Sequence, residues 1–353
     1  METEEIKAKL TRRKKTKKHK DNTRYVSTGS TLLNLACTDH PDRGFRKGHY
    51  YLLVGTSSSG KTWLSLSCMA EASINPNFNG YRFILDDVER GALMNIRKFF
   101  GSKVDQRLET IHSYKIEDFY DNLDKANKKG KPFIYVLDSM DGLSSEAELA
   151  KFAKTRKARE KEKETAGSYG DGKAKVNSQS LRQALTPLKQ SGSILIIINQ
   201  NRDKLTGFGG KTRSGGNAMQ YYACLEIWSD KKKELTKVYK GKDRQQGTLC
   251  SLRVRKNRVK GATNRYVQVP IYRTYGMDDV GSCIDYLISE KHWTKTKKSG
   301  IINAPEFDFE GKRSKLINAI LDNNNEVKLS RITANTWKEI ENAIAIKRKP
   351  RYA

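Results

Sequence analysis

The stretch that most restricts the fold is Y-Y-L-L-V-G-T-S-S-S-G-K-T-W at 50–63. An apolar run meets two glycines and three serines, and a helix-patterned segment, W-L-S-L-S-C-M-A, follows at once. A strand that turns this sharply needs glycine in the turn, and the helix behind it begins with unpaired N–H groups. Those groups and the positive end of the helix dipole make an anion site. Gly55, Thr56, Ser57, Ser58, Ser59, Gly60, Lys61 and Thr62 fit the pattern G-x-x-x-x-G-K-[ST]. There the glycines let backbone N–H groups close around a β-phosphate, Lys61 reaches the β- and γ-phosphates, and the Thr62 hydroxyl ligates Mg2+. The segment predicts a site for ATP with Mg2+ rather than an ordinary Gly/Ser turn.

The neighbouring chain predicts an α/β layer fold around that site. Runs rich in Ile, Leu, Val and aromatics at 50–54, 82–86, 133–138 and 194–199 lack strict alternation. That is the pattern of strands covered on both faces of a mainly parallel sheet. Helices are expected between them at 61–73, 91–100, 117–128 and 179–190. Strands near 222–228, 249–256 and 266–272 follow with fewer helices, which predicts an antiparallel extension. A chain of 353 residues suits one sizeable core with appendages. The expected division is a basic arm at 1–24, an ATPase core at 25–276 and a small α-rich C-terminal unit at 277–353. That unit carries helices near 279–290, 313–322 and 335–346 and ends in a basic tail.

A phosphate loop needs acidic partners on nearby strands. F-I-Y-V-L-D-S at 133–139 places Asp138 at a strand's carboxyl end, either to hold the metal or to cap a helix. D-D-V-E at 86–89 offers Glu89 to polarise an attacking water, while Asp86 and Asp87 are candidates for helix caps. At 198–200 the strand ends I-N-Q, and the Gln200 amide either bonds the γ-phosphate or its water, or satisfies local backbone.

Lys and Arg number 68 against 40 Asp and Glu, a formal charge of +28 that suits a polyanionic partner, foremost nucleic acid. R-R-K-K-T-K-K-H-K at 12–20 repels itself and resists burial, so it is an arm that contacts phosphates or merely solubilises. Residues 151–178 hold nine Lys/Arg against four Asp/Glu and almost no large apolar side chains, so they are read as a long loop. A second loop, 201–217, has five glycines and four Lys/Arg: Arg202, Lys204, Lys211 and Arg213. Phe208 among its glycines would stack on a base or pack locally. Both loops follow strands and should emerge at one sheet edge. The five scattered cysteines show no metal-ligand spacing, and no apolar run reaches membrane-spanning length. The expectation is a reduced, soluble, cytoplasmic chain without a signal peptide or membrane partner.

These motifs together resemble the RecA-type recombinases. G-T-S-S-S-G-K-T, D-V-E, V-L-D-S, I-N-Q, S-G-G-N-A-M-Q-Y-Y-A and V-R-K-N-R-V-K stand in that family's order and approximate spacing. S-T-G-S-T-L-L-N-L-A at 27–36 resembles the start of its core, and the likeness covers about 25–345. The basic composition inclines the reading to a phage or viral relative of the RecA/UvsX kind. The resemblance implies a RecA-like core in which Lys61, Thr62 and Asp138 hold nucleotide and Mg2+, and Glu89 is the catalytic glutamate. It makes Gln200 the γ-phosphate sensor leading into a DNA loop that ends at Gly215, Gly216 and Asn217. It makes Lys256 and Arg258 basic residues that reach a neighbouring subunit's ATP. The second of these is Arg where the family has Lys, so its contact geometry differs. The first DNA loop is longer and more charged than usual, and the arm matches the family's filament-packing segment poorly.

The implied function is ATP-dependent filament formation on single-stranded DNA, with pairing and strand exchange against double-stranded DNA. A single-strand-binding protein and a loader are the further partners implied. Two other readings share the phosphate loop: a ring-forming RecA-fold motor or helicase, and a mediator that does not hydrolyse ATP.

Overall fold

The computed structural model describes residues 23–159, 171–203, 211–213, 215–349 and 351. The described chain begins with β1 (Tyr25–Val26), α1 (Thr31–Thr38) and β2 (Phe45–Arg46), which pairs antiparallel with β1. The Ser30 hydroxyl caps α1 by accepting from Leu33 N–H. Next come β3 (His49–Gly55), α2 (Lys61–Ile74), β4 (Arg82–Asp87), α3 (Ile96–Phe100), α4 (Ser102–Arg107), β5 (Leu108–Ile111), α5 (Ile116–Lys128) and β6 (Phe133–Asp138). Then follow α6 (Glu146–Arg159), α7 (Asp171–Ser191), β7 (Ile194–Asp203), β8 (Lys211–Arg213), α8 (Asn217–Tyr222), β9 (Leu225–Tyr239), β10 (Lys242–Asn257), β11 (Arg265–Tyr272) and β12 (Gly276–Met277). The C-terminal part holds α9 (Asp279–Ser289), β13 (Thr294–Lys295), β14 (Ile301–Ala304), β15 (Phe309–Lys312), α10 (Arg313–Asp322) and α11 (Glu326–Ile344).

The main sheet runs β12-β11-β10-β9-β3-β7-β6-β4-β5, with β8 paired to β7. From β9 to β5 the neighbours are parallel; from β9 to β12 they are antiparallel. This is the expected α/β class, a mainly parallel sheet with an antiparallel extension. The strands read as unbroken apolar runs because both faces are covered. Along β3, Tyr51 and Leu53 point into one apolar layer, and Tyr50, Leu52 and Val54 into the other. Along β7 the same split gives Ile194, Ile196 and Ile198 to the first layer and Leu195 and Ile197 to the second. Helix α2 covers the first layer with Leu64, Cys68, Met69 and Ala72; α5 and α7 cover the second with Phe119, Leu123, Leu181 and Leu188. A third cluster, including Ile284, Leu287, Trp293, Ile302, Leu316 and Leu329, lies within the C-terminal part.

Several elements differ from the expectation. Helix 91–100 shrinks to α3, because the Asp87 carboxylate accepts from the Gly91 and Ala92 N–H groups and holds them in a turn. Helix α3 then starts at Asn95, whose side chain accepts from Lys98 N–H. Strand β5, Leu-Glu-Thr-Ile, was not foreseen; it is a short, half-buried edge strand without an apolar run. Strands β9 and β10 run far beyond their apolar halves as an exposed hairpin, turned at Lys240 and Gly241, both with positive φ. The stretch 151–178, read as a loop, is helical at both ends: 151–159 belongs to α6 and 171–178 to α7. In 151–159 the Ala, Lys and Arg residues favour helix without a buried face, Phe152 being 68% exposed, while 171–178 leads into the buried face of α7 through Val176 and Asn177. In the second loop, residues 201–203 and 211–213 pair as an antiparallel ribbon, Asn201 opposite Arg213. The C-terminal part adds the three-stranded sheet β13-β14-β15 to its helices. All five cysteines are buried and unpaired, and no described helix is long and apolar enough to cross a membrane.

The C-terminal part meets the core at Asp279, whose carboxylate accepts from both the N–H and the hydroxyl of Thr31 at 2.7 Å. Burial outweighs those bonds and lifts this carboxyl to about 6. An unfolded aspartate titrates near about 3.9, so the folded chain holds the proton more tightly. This group therefore favours folding most below about pH 4 and progressively less as pH rises to about 6. Urea unfolding across that window should show a falling component that Asp279→Asn removes; an identical slope in the variant contradicts the assignment.

Candidate functional site

The phosphate loop begins where β3 ends. In the parallel ladder Gly55 stands opposite Gln200 of β7 on one side and Ser229 of β9 on the other. A Cβ on Gly55 would lie 2.0 Å from the Ser229 carbonyl oxygen, so only glycine fits between these strands. Gly60 turns the loop into α2 at φ +86, and a Cβ there would lie 2.4 Å from Ile271 Cδ1. The Ser59 hydroxyl donates to the Thr56 carbonyl at 2.8 Å, while the Ser229 hydroxyl donates to the Ser59 carbonyl and pins the loop to β9. Ser57 and Ser58 face outward.

Lys61 is buried, with Nζ donating to the carbonyls of Gly55 at 3.0 Å and Thr56 at 2.6 Å. Burial pulls its pKa below the ordinary lysine range, and Asp138 and Glu89 oppose that shift. The Thr62 hydroxyl donates to Asp138 Oδ2 at 2.6 Å. Burial raises the Asp138 carboxyl; the Thr62 bond works against this, and the charges of Glu89 and Asp87 add to it. Glu89 Oε1 accepts from the Ser139 hydroxyl at 2.5 Å and from the Gln200 amide at 3.1 Å. Gln200 N–H donates to Asp141 Oδ2. One threonine hydroxyl and several carboxylates thus converge beside a buried lysine, a donor set suited to a hard cation and to phosphate oxygens.

The surrounding cavity has a volume of about 640 Å³, large enough for a nucleotide. Its far wall is one the sequence reading missed. Gln245, Thr248, Tyr272 and Arg273 line it from the antiparallel strands, and Trp63 and Met94 from the near side. Arg273 donates to the Gln245 side chain. The available signal was the polar pair Tyr272-Arg273 at the end of a predicted strand, but only the β9-β10-β11 pairing brings it opposite the loop. Ser139 and Asp141, also missed, lie one and three residues after the recognised Asp138.

The other predicted residues separate. Asp86 is buried among Ser113 and Tyr135, both donating to it, whereas Asp87 caps the 91–92 turn and also lines the cavity. Lys256 and Arg258 do not line the cavity: Lys256 Nζ donates to the Gln220 and Tyr221 carbonyls at the end of α8, and Arg258 is exposed. Arg202, Lys211 and Arg213 lie on the β7-β8 ribbon that begins beyond Gln200. Lys204 and Phe208 lie outside the described residues. Gly215 and Gly216, at φ +84 and +81, lead into Asn217 and α8.

A glycine-turned phosphate loop at the carboxyl end of a central parallel strand defines an α/β protein of the P-loop class. A family model of the RecA N-terminal domain matches residues 7–278, so the chain belongs to the RecA family. It is similar to the RecA protein of Solidesulfovibrio magneticus, at 28% identity over 265 residues, 74% of this chain and 67% of the relative. It is similar to the RecA protein of Ectopseudomonas oleovorans, at 28% identity over 297 residues, 82% of this chain and 74% of that one. A third relative is the mitochondrial DNA repair protein recA homolog 3 of Arabidopsis thaliana, at 28% identity over 293 residues. That match covers 82% of this chain and 62% of the plant protein. These bacterial and plant relatives give no support to a phage origin.

Gly60→Ala should cost about 1–2 kcal/mol in denaturant unfolding from the left-handed backbone alone. It should also weaken nucleotide binding read by Trp63 fluorescence. Gly80→Ala, where a Cβ meets nothing within 4 Å, is the control. Equal behaviour of the two variants contradicts the loop geometry.

Proposed function

We propose that this chain is a DNA-dependent ATPase that assembles head to tail on single-stranded DNA and promotes homologous pairing and strand exchange. Membership of the RecA family supports the class, and the DNA repair named for the Arabidopsis relative supports the setting. The observation that carries the reading is Gln200. Its amide touches Glu89 inside the phosphate cavity, and the basic glycine-flanked ribbon begins at the next residue.

The chain's own residues account for the chemistry. Lys61 would exchange the Gly55 and Thr56 carbonyls for phosphate oxygens, whose negative charge would favour the ammonium that burial disfavours. Thr62 and Asp138 would hold Mg2+, which when bound offsets phosphate charge and polarises the phosphorus. Glu89, oriented by Ser139 and Gln200, would align a water and accept its proton. Lys256 and Arg258 do not line their own cavity, so a part in hydrolysis would be played at a neighbour's nucleotide. Cationic charge brought in trans stabilises phosphoryl transfer only when a neighbour is docked. A head-to-tail interface that does not close generates a helix. Strand binding through phosphates would be sequence-tolerant and steeply salt-dependent.

ATP hydrolysis with and without single-stranded DNA tests this. Lys61→Ala should abolish turnover. Glu89→Gln should lower kcat by about 10²–10⁴-fold with nucleotide affinity kept. Lys256→Ala should lower strand-stimulated turnover by about 10³-fold or more. Electron microscopy on the strand should show open helices. Closed rings, or no strand-stimulated hydrolysis by the unmodified chain, contradict the reading.

A further inference from the structure

The β7-β8 ribbon is held at the foot of each leg. On the near leg, Gln200 donates through its backbone to Asp141 and through its side chain to Glu89. On the far leg, the chain passes from Arg213 through Gly215 and Gly216 into α8, and this turn rests on α7. The Gly215 carbonyl accepts from Asn177 Nδ2 at 3.0 Å, and Asn177 Oδ1 accepts from the Tyr120 hydroxyl of α5 at 2.8 Å. The approach is close throughout: a Cβ on Gly216 would lie 2.8 Å from Ala174 Cβ, and one on Gly215 3.0 Å from Asn177 Nδ2.

Packing alone does not account for an amide at this place. Asn177 is fully buried, and Met140, Leu181 and Met219 of the apolar layer beneath the sheet belong to the same region. A leucine or methionine would fill such space without the desolvation that an amide incurs, which only its hydrogen bonds offset. The bonds that Asn177 makes lead from α5 to the foot of the far leg. Helix α7 is also joined to the phosphate side, since Lys173 Nζ donates to the Met140 carbonyl at 3.4 Å, next to Asp141.

We infer that Asn177 is a positioning residue that makes the far leg of the ribbon a fixed pivot, so that a shift of Gln200 tilts the ribbon rather than sliding it. The two legs are hydrogen-bonded to each other, Asn201 opposite Arg213. Moving one rail of such a ladder against a fixed partner rotates the pair; with both rails loose, the same movement is dissipated. This rests on the reading of Gln200 as the link between nucleotide and polynucleotide.

The test uses the full chain and a fluorescein-labelled oligothymidylate, with strand affinity measured by anisotropy in the presence of ATPγS, ADP or no nucleotide. Nucleotide affinity is read separately from Trp63. In the unmodified chain the strand affinity should rise with ATPγS by about 5–150-fold, and in Asn177→Leu the ratio should fall below about 3-fold. Nucleotide affinity and nucleotide-free strand affinity should stay near their unmodified values. Tyr120→Phe, which removes one hydroxyl from the amide's support, should lower the ratio partway and serves if the leucine variant does not fold. An unmodified ratio in either variant overturns the inference. So does a drop in both strand affinities with the ratio kept, the mark of a merely structural role. Absence of any ratio in the unmodified chain overturns the functional reading first, and this inference with it.

Discussion

The arrangement depends on one packing constraint: β3 ends at Gly55 with parallel strands on both sides. Gln200 and Ser229 are its ladder neighbours, and no side chain fits between Gly55 and the Ser229 carbonyl. Both faces of β3 are buried, so its carboxyl end is not free to move. The phosphate loop, the Gln200 amide and the wall formed by β9 and β10 are therefore set out from one rigid row. The hydroxyl of Ser229 then fastens the loop itself by donating to Ser59.

On that frame the charges are placed against their own preferences. Lys61 is buried without a bonded carboxylate and holds its proton less firmly than a free lysine, while Asp138 is raised by burial among other acids. Each is satisfied only partly by neighbours, through the carbonyls of Gly55 and Thr56 and the hydroxyl of Thr62. A polyanion with a divalent cation would relieve both at once, which is why the donor set fits that pair better than either alone. Gln200 adjoins this site, its side-chain amide donating to Glu89. Beyond Gln200 the chain leaves the core for the β7-β8 ribbon, so this residue stands at the boundary between the two.

The parts readable from sequence are those whose chemistry or burial leaves a local mark. Strands β3, β4, β6 and β7 read clearly because both faces are apolar, and the loop from Gly55 to Thr62 because its backbone demands glycine. Strand β5 and the outer hairpin of β9 and β10 left no such mark: β5 is four residues with only Leu108 and Ile111 apolar, and the hairpin's mostly polar strands are held by backbone pairing. Helix α6 and the first turns of α7 were hidden in a charged stretch, while the 179–190 part of α7 read as helix. The far cavity wall, with Tyr272 and Arg273, arises only when β11 is placed next to β10. Asn177 was invisible for the same reason, since its partners Tyr120 and Gly215 are distant in sequence.

The central claim is that occupancy of the phosphate cavity is transmitted through Gln200 to the ribbon. Hydrogen–deuterium exchange at the backbone amides of 200–203 and 211–213, with no polynucleotide present, tests it most directly. The account predicts that a triphosphate changes exchange at both legs of the ribbon while a diphosphate leaves them as in the free chain. Identical exchange with triphosphate and diphosphate, alongside protection of the phosphate loop by both, would contradict it.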